Sequence, residues 1–477
     1  MQKVIILLLI CCTSLPFSSF AQFKDSLNIG IETQVGYADK SYQPFWQVSN
    51  QWGSIPNEKQ YLLVGGGVHY RAGFGKYWRL NSSVQLNTEL LTKQVQIAQA
   101  YASLSYNNID LKAGRFRQRW GEVDSLLSAG SLAISHNALP VPAIELAVNK
   151  YTPIPASEGW VHFKGRWQHA WLGSDRYVKG AYLHAKNFYL LIGNQNFAFE
   201  GGLNHFVQWG GNHPQGPLPD RFQDYRIIII GAPQKQDEKY TDAPQNIYNA
   251  LGNHILITDL GLRWKLKTSL YHLYTQTPYE TGRNEKIYGR DNLDALYIFG
   301  KDRLVGLRVN KLPCEVIEKV VVEYLNTSHQ GGEGMFIGQF NYYNHSIYRS
   351  GWTNEGYSMG TPLLLNKAQA ENYQLDQEAL GAYDFISNRV QSVHVGVAGS
   401  LSDQCSYRQL FTYSRHFGNY YNGAFNHQPT QSYLQTELQY TAATSLGLKL
   451  STTLDLGNLS NNMSFALGIQ WKNTFLN

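Results

Sequence analysis

The sequence predicts an all-β fold: a transmembrane antiparallel β-barrel of the outer-membrane type, about 16 to 18 strands, with its lumen occluded by loops or a short plug. Three observations predict it. Segments of about ten residues alternate apolar and polar side chains, with Gly, Asn and Asp between them. Aromatic residues cluster at the ends of those segments, as amphipathic rings do at both membrane interfaces. Only 16% of residues are charged, against roughly 25% in soluble domains, and no apolar run long enough for a membrane helix is present.

In chain order, residues 4–12 are apolar behind Lys3, and Ser19 and Ala21 are small. The run is too short to span a bilayer and suits a cleaved secretory signal of residues 1–21, so residues 22–477 are read as one barrel domain. Strand alternation follows. Ile29, Ile31, Thr33, Val35 and Tyr37 oppose Glu32, Gln34 and Gly36; Ala98 to Tyr106 and Leu446 to Leu454 repeat the pattern. A soluble sandwich also alternates, but its inner face would be dominated by Val, Ile and Leu, whereas here it is often Gln, Asn, Glu, Arg, Ser or Gly. Tyr70, Tyr77, Trp78, Tyr106, Trp264, Tyr271, Tyr274 and Tyr279 are candidate girdle residues, and residues 464–475 make a closing strand.

Roughly 455 residues beyond the signal, at about two dozen per strand and connection, give the strand count. Residues 119–154, 212–253 and 361–382 are too long or irregular for hairpins and belong outside or folded into the lumen. Within the first of these, residues 122–134 have room for a short helix bounded by Gly121 and Gly130. The tight turns at 73–76 and 107–108 fall at one barrel end, the periplasmic one. That parity places the N-terminus outside if residues 27–37 and 45–52 both span. One of the two must therefore be a luminal excursion, placed near residues 43–56.

The formal charge of +5 is too weak to imply nucleic acid. Four cysteines, two of them in the signal, leave Cys314 and Cys405, and a closed barrel needs no bridge between them. The 14 histidines show no metal-ligand spacing, so no metal or cofactor is expected. Ser135-His136 and Ser328-His329 are adjacent pairs; neighbours in a strand point to opposite faces and cannot act on one another, so no catalytic pair is assigned.

Two clusters suit sugar binding. Arg115, Arg117 and Arg119 alternate on one strand face; near the midplane of lipid each would cost about 2 to 4 kcal/mol, so they face the lumen or an aqueous end. They either contact an acidic sugar or form an interior ladder with carboxylates of neighbouring strands, the more ordinary arrangement. Tyr342, Tyr343, Asn344, His345, Tyr348, Arg349, Trp352 and Asn354 lie close together. Aromatic faces stack on the apolar face of a pyranose while amides and guanidinium groups meet its hydroxyls. The same residues could instead plug the lumen, because Gly351, Gly356, Gly360 and Pro362 read as a turn framework. The candidate glycan residues are thus Tyr342, Tyr343, Asn344, His345, Arg349, Trp352, Asn354, Arg115 and Arg117.

Six blocks carry a family resemblance: GSLAISHNALPVPAIEL from Gly130, GGLNHFVQWGG from Gly201, NALGNHIL from Asn249, VVVEYLNTSHQGG from Val320, YYNHSIYRSGWTNEGYSMGTPL from Tyr342 and NRVQSVHVGVAGSL from Asn388. In this order they resemble the capsule assembly Wzi family. The resemblance implies an outer-membrane lectin that binds capsular or exopolysaccharide exported by separate machinery, without catalysis, with membrane lipid and the barrel-assembly machinery as its other partners. Enteric members are implied to carry a periplasmic helical bundle near the N-terminus, for which residues 22–28 leave little chain. The alternatives are a porin, a polysaccharide export channel and a soluble secreted lectin.

Overall fold

The computed structural model describes residues 25–231, 233–235, 248–279, 300–330, 340–373, 375, 383–421, 423–425 and 427–476. The expected export signal, residues 1–21, lies outside them. Among the described residues, 18 strands form one antiparallel sheet: β1 (Ser26–Ala38), β2 (Gln60–Phe74), β3 (Trp78–Glu89), β4 (Gln94–Tyr106), β5 (Ile109–Arg115), β6 (Pro142–Pro153), β7 (Val161–Trp171), β8 (Tyr182–Gly193), β9 (Phe197–Trp209), β10 (Asn253–Leu266), β11 (Ser269–Tyr279), β12 (Arg303–Asn310), β13 (Lys319–Asn326), β14 (Val390–Ser402), β15 (Cys405–His416), β16 (Thr430–Ala443), β17 (Leu446–Gly457) and β18 (Asn462–Leu476). Neighbours in the barrel are neighbours in the chain. Pairing of β1 with β18, from Ser26↔Leu476 to Ala38↔Ser464, closes it, so no strand edge is left unpaired in lipid.

The wall follows the alternation. Ile31, Val35, Val68, Val84, Leu104, Leu111, Leu146, Phe411, Leu450 and Leu467 are all exposed, a surface that only lipid makes favourable. Gln34, Glu145, Gln168, Glu200, Glu323 and Gln435 point inward and are buried. Tyr77, Trp78 and Tyr106 pack together at the short-turn end, and Trp264 stacks on Tyr271. Tyr274 departs from the girdle: it lies on the inner face, buried, and donates to Glu323 Oε1 at 2.6 Å.

Turns at 75–77, 107–108, 267–268, 403–404 and 444–445 share one end with both termini of the barrel, the periplasmic end; the long connections 39–59, 116–141, 210–252 and 327–389 start from the other. The parity problem resolves as expected. β1 spans, and residues 45–52 enter the lumen, where Phe45–Val48 form a single helical turn, α1, with Phe45, Trp46 and Gln47 buried. Two boundaries differ. Residues 119–154 are not one connection, since β6 occupies their second half, and residues 122–134 form turns without a helix. In that stretch, side chains of the wall bond the backbone that a helix would have satisfied internally. Cys314 and Cys405 are free thiols.

The hydrophobic core is inside the barrel. Residues 45–52, 116–141 and 340–366 fold into the lumen and bring together Phe45, Trp46, Trp120, Leu127, Leu132, Tyr343, Trp352 and Leu363. Irregular backbone at membrane depth is tolerated only when protein buries and pairs it. The inward polar residues of the wall do this: Glu323 accepts from Ser128 Oγ and Ala129 N, both at 2.7 Å, Gln276 Oε1 accepts from Leu132 N at 2.9 Å, and Gln435 Nε2 donates to Trp46 O at 3.0 Å. Gly396 of β14 admits the plug, because a Cβ there would come within 2.6 Å of Leu127 O.

Candidate functional site

The block read as a sugar site is built around two reversals of the chain. Gly351 adopts φ +62°, and any Cβ there would stand 2.6 Å from Tyr343 O; Gly356 adopts φ +78°. The turns aim the side chains inward, against residues 128–139. Trp352 Nε1 donates to Ala133 O at 2.7 Å, Tyr343 Oη to Leu132 O at 2.5 Å and Asn354 Nδ2 to Leu139 O at 2.7 Å. Ser135 Oγ and Asn137 Nδ2 return bonds to Gly360 O and Ser358 O at 2.7 and 2.9 Å. Asn344 Nδ2 donates to Phe385 O at 2.8 Å, and Tyr342 Oη to Asp302 Oδ2 at 3.0 Å.

This corrects five assignments. Tyr342, Tyr343, Asn344, Trp352 and Asn354 are buried, and Trp352 has no exposed surface at all. Their rings pack among other protein side chains, and the side-chain donors of all five are taken by protein acceptors: plug carbonyls for Tyr343, Trp352 and Asn354, Phe385 O for Asn344 and the Asp302 carboxylate for Tyr342. The turn-framework reading describes them. Tyr348 is buried as well.

The arginine stripe is also redrawn. β5 ends at Arg115, one residue after Gly114 at φ +121°, so Arg117 and Arg119 belong to the inserted segment rather than to a strand face. Arg115 and Arg117 are half-buried; the Arg117 guanidinium lies 5.7 Å from the Trp52 ring. None of the three arginines forms an ion pair among the described residues. An interior ladder does exist, with other members. Glu122 of the plug meets Lys164 and Arg263, and Asp124 meets Lys319 at 3.2 Å and Arg308 at 3.7 Å. Burial alone would raise the Glu122 carboxyl, but Lys164 and Arg263 hold it below the ordinary range.

What remains open lies at the extracellular face, in two patches. In the first, Arg349 is exposed and His345 partly so. The Arg349 guanidinium sits 5.2 Å from the Tyr177 ring, whose other neighbour is His213 at 5.3 Å. Tyr177 N donates to Ser350 Oγ at 2.8 Å and Arg176 donates to Thr353 O and Gly351 O at 3.2 and 3.3 Å, so this patch is fastened to the plug. In the second, Arg389 covers Tyr420 at 3.8 Å, donates to Ser328 O at 3.1 Å, and shares Phe417 with Arg415 at 5.9 and 5.3 Å. Tyr420 and Tyr421 are 37% and 45% exposed. Stacking rings beside fixed guanidinium donors suit a saccharide, more so an acidic one. Residues 417–421, FGNYY, carry the aromatic and amide mixture that drew attention to 342–354, and loop parity alone would have placed them outside.

The model of the family described as capsule assembly protein Wzi matches residues 47–375, which is more than half of the chain. The chain belongs to that family. In the solved structures, Wzi of Escherichia coli, described as an outer-membrane protein involved in group 1 capsule assembly and a carbohydrate-binding β-barrel, superposes with a TM-score of 0.57 at 16% identity, covering 93% of this chain and 83% of the other. OccK5 of Pseudomonas aeruginosa gives 0.49 at 9% identity over 96% and 100%, and OccAB4 of Acinetobacter baumannii 0.48 at 10% over 95% and 99%. No curated protein matches the sequence. Membership of the Wzi family and the lipid-facing closed barrel make this a bacterial outer-membrane protein.

Proposed function

We propose that this protein holds capsular or exopolysaccharide noncovalently at its extracellular face and so helps attach or assemble it there, a lectin-like role without catalysis. One observation carries the reading: among the described residues a packed plug hydrogen-bonded to the wall stands in the lumen, which obstructs the path a porin or export channel needs and favours surface patches as the working part. The patch of Tyr177, His345 and Arg349 and that of Arg389, Phe417 and Tyr420 are the proposed contacts; the half-buried Arg115 and Arg117 are not among them. Membership of a capsule assembly family supports the ligand class. Insertion by the barrel-assembly machinery and residence in outer-membrane lipid complete the proposed partners.

The test pairs two measurements on detergent-purified protein. Saturable binding to polysaccharide from its own cell surface is expected, together with no stable large conductance steps in planar bilayers. Large steps with no glycan binding would replace this reading with a porin.

A further inference from the structure

On β8 to β10 the outer wall departs from its usual composition. Elsewhere outward positions are mostly aliphatic or aromatic, with single polar residues such as Gln409, but near the extracellular tips of these strands His184, Lys186, His205 and His254 cluster on the outward face. Polar groups facing acyl chains are costly, and here they are covered. Helix α2 (Phe222–Ile230) lies across them on the outside of the barrel. Tyr225 Oη sits 3.1 Å from His184 Nδ1 and accepts from Trp167 Nε1 at 3.2 Å, its ring stacks on Trp209 at 5.2 Å, and Lys186 Nζ donates to Ile229 O. Ile228 is fully buried against Val207 and Trp209.

The height of the helix follows from the register. Lys186 is four residues from the strand end at Tyr182, about 13 Å along the strand and roughly 10 Å along the membrane normal after tilt. The next outward residue on β8, Phe188, is already 52% exposed to lipid. This places α2 at headgroup level in the outer leaflet.

Its outer face has a defined composition. Phe222 and Ile230 are 78% and 74% exposed, and Arg226, exposed between them, stands on the same face at spacing of four. Arg226 has no ion pair among the described residues, while the helix's carboxylate, Asp224, sits on another face and accepts from Arg221 N at 2.9 Å. Two large apolar side chains flanking a lone guanidinium match the boundary of acyl chains and anionic headgroups.

We propose that Phe222, Arg226 and Ile230 form a docking site for an anionic, phosphate-bearing lipid of the outer leaflet. The apolar pair enters the acyl layer and the guanidinium takes a phosphate oxygen pair. The site depends on the barrel being embedded and not on the glycan reading.

The test is native mass spectrometry of the full protein ejected from nanodiscs of phosphatidylcholine, alone or mixed with bisphosphorylated lipid A. Wild type should retain lipid A over phosphatidylcholine, and Arg226→Gln should cut that retention about fivefold. Arg226→Lys, which keeps the charge but loses the paired donors, should fall between wild type and Arg226→Gln. Equal retention of both lipids by wild type, or unchanged retention by an Arg226→Gln protein that still shows a heat-modifiable band, overturns the proposal. If that variant fails to assemble, a salt series on wild type decides: lipid A retention that does not fall as ionic strength rises overturns it as well. A dimer abolished by Phe222→Ser with Ile230→Ser, without lipid preference, would assign the face to a second copy instead.

Discussion

Within one stretch of thirteen residues, 342–354, the buried half and the exposed half have opposite fates. Tyr343, Asn344, Trp352 and Asn354 each donate to a backbone carbonyl of the protein; Arg349, three residues from Trp352, is exposed and rests on Tyr177. The residue types are equally suited to sugar. What separates them is whether a protein group already takes the hydrogen bond and covers the ring.

The comparison breaks most readily at Trp352. Replacing it with Ala leaves a cavity among fully buried neighbours and an unpaired Ala133 carbonyl, a loss of about 3 to 5 kcal/mol. Expected outcomes are a lower temperature for loss of the heat-modifiable band and new conductance through the loosened plug. An assembled variant of wild-type stability with weaker glycan binding would return Trp352 to the sugar site.

A pH effect comes next. Burial, with Arg119 nearby, pushes the plug residue His136 down to about 3. Its folded value lies below the unfolded one, so the neutral ring supports the plug fully above about 6.5, and that support is lost progressively as pH falls from there toward 3. Plug stability, followed by bilayer conductance or tryptophan fluorescence, should decline across that window, and His136→Gln should flatten the decline.

Smaller still is Tyr343→Phe, which removes one bond to Leu132 O and leaves a buried carbonyl unpaired, at about 1 to 3 kcal/mol, with glycan affinity unchanged. Smallest is Arg349→Gln at the surface. It should lower affinity for an acidic polysaccharide about two- to fivefold, lower that for a neutral one less, lose the difference in high salt, and leave thermal stability alone. Isothermal titration against both polymers separates the two halves of the block.

The period-two pattern made the barrel, its lipid face and its luminal excursion legible, because alternation between lipid and a polar interior imposes that pattern on every strand. The site was less legible. Gly351, Gly356 and Gly360 marked the block as a folded framework, yet only the partners 133, 132 and 139, more than 200 residues earlier, show that the framework is filled by its own protein. Likewise Arg117 and Arg119 keep strand spacing on paper, but the left-handed Gly114 ends the strand before them. On β8 to β10 the polar outward residues are unreadable without the helix that covers them.

The sequence by itself determined the architecture, the membrane and the family. These rest on local chemistry: the alternation of side chains, the composition of turns and the order of recognisable blocks. Only the tertiary structure decided which aromatic and amide residues face protein and which face the outside, since that depends on contacts between segments far apart in the chain, and a hydrogen-bond donor reads the same in sequence whether its acceptor is a sugar or the carbonyl of Ala133.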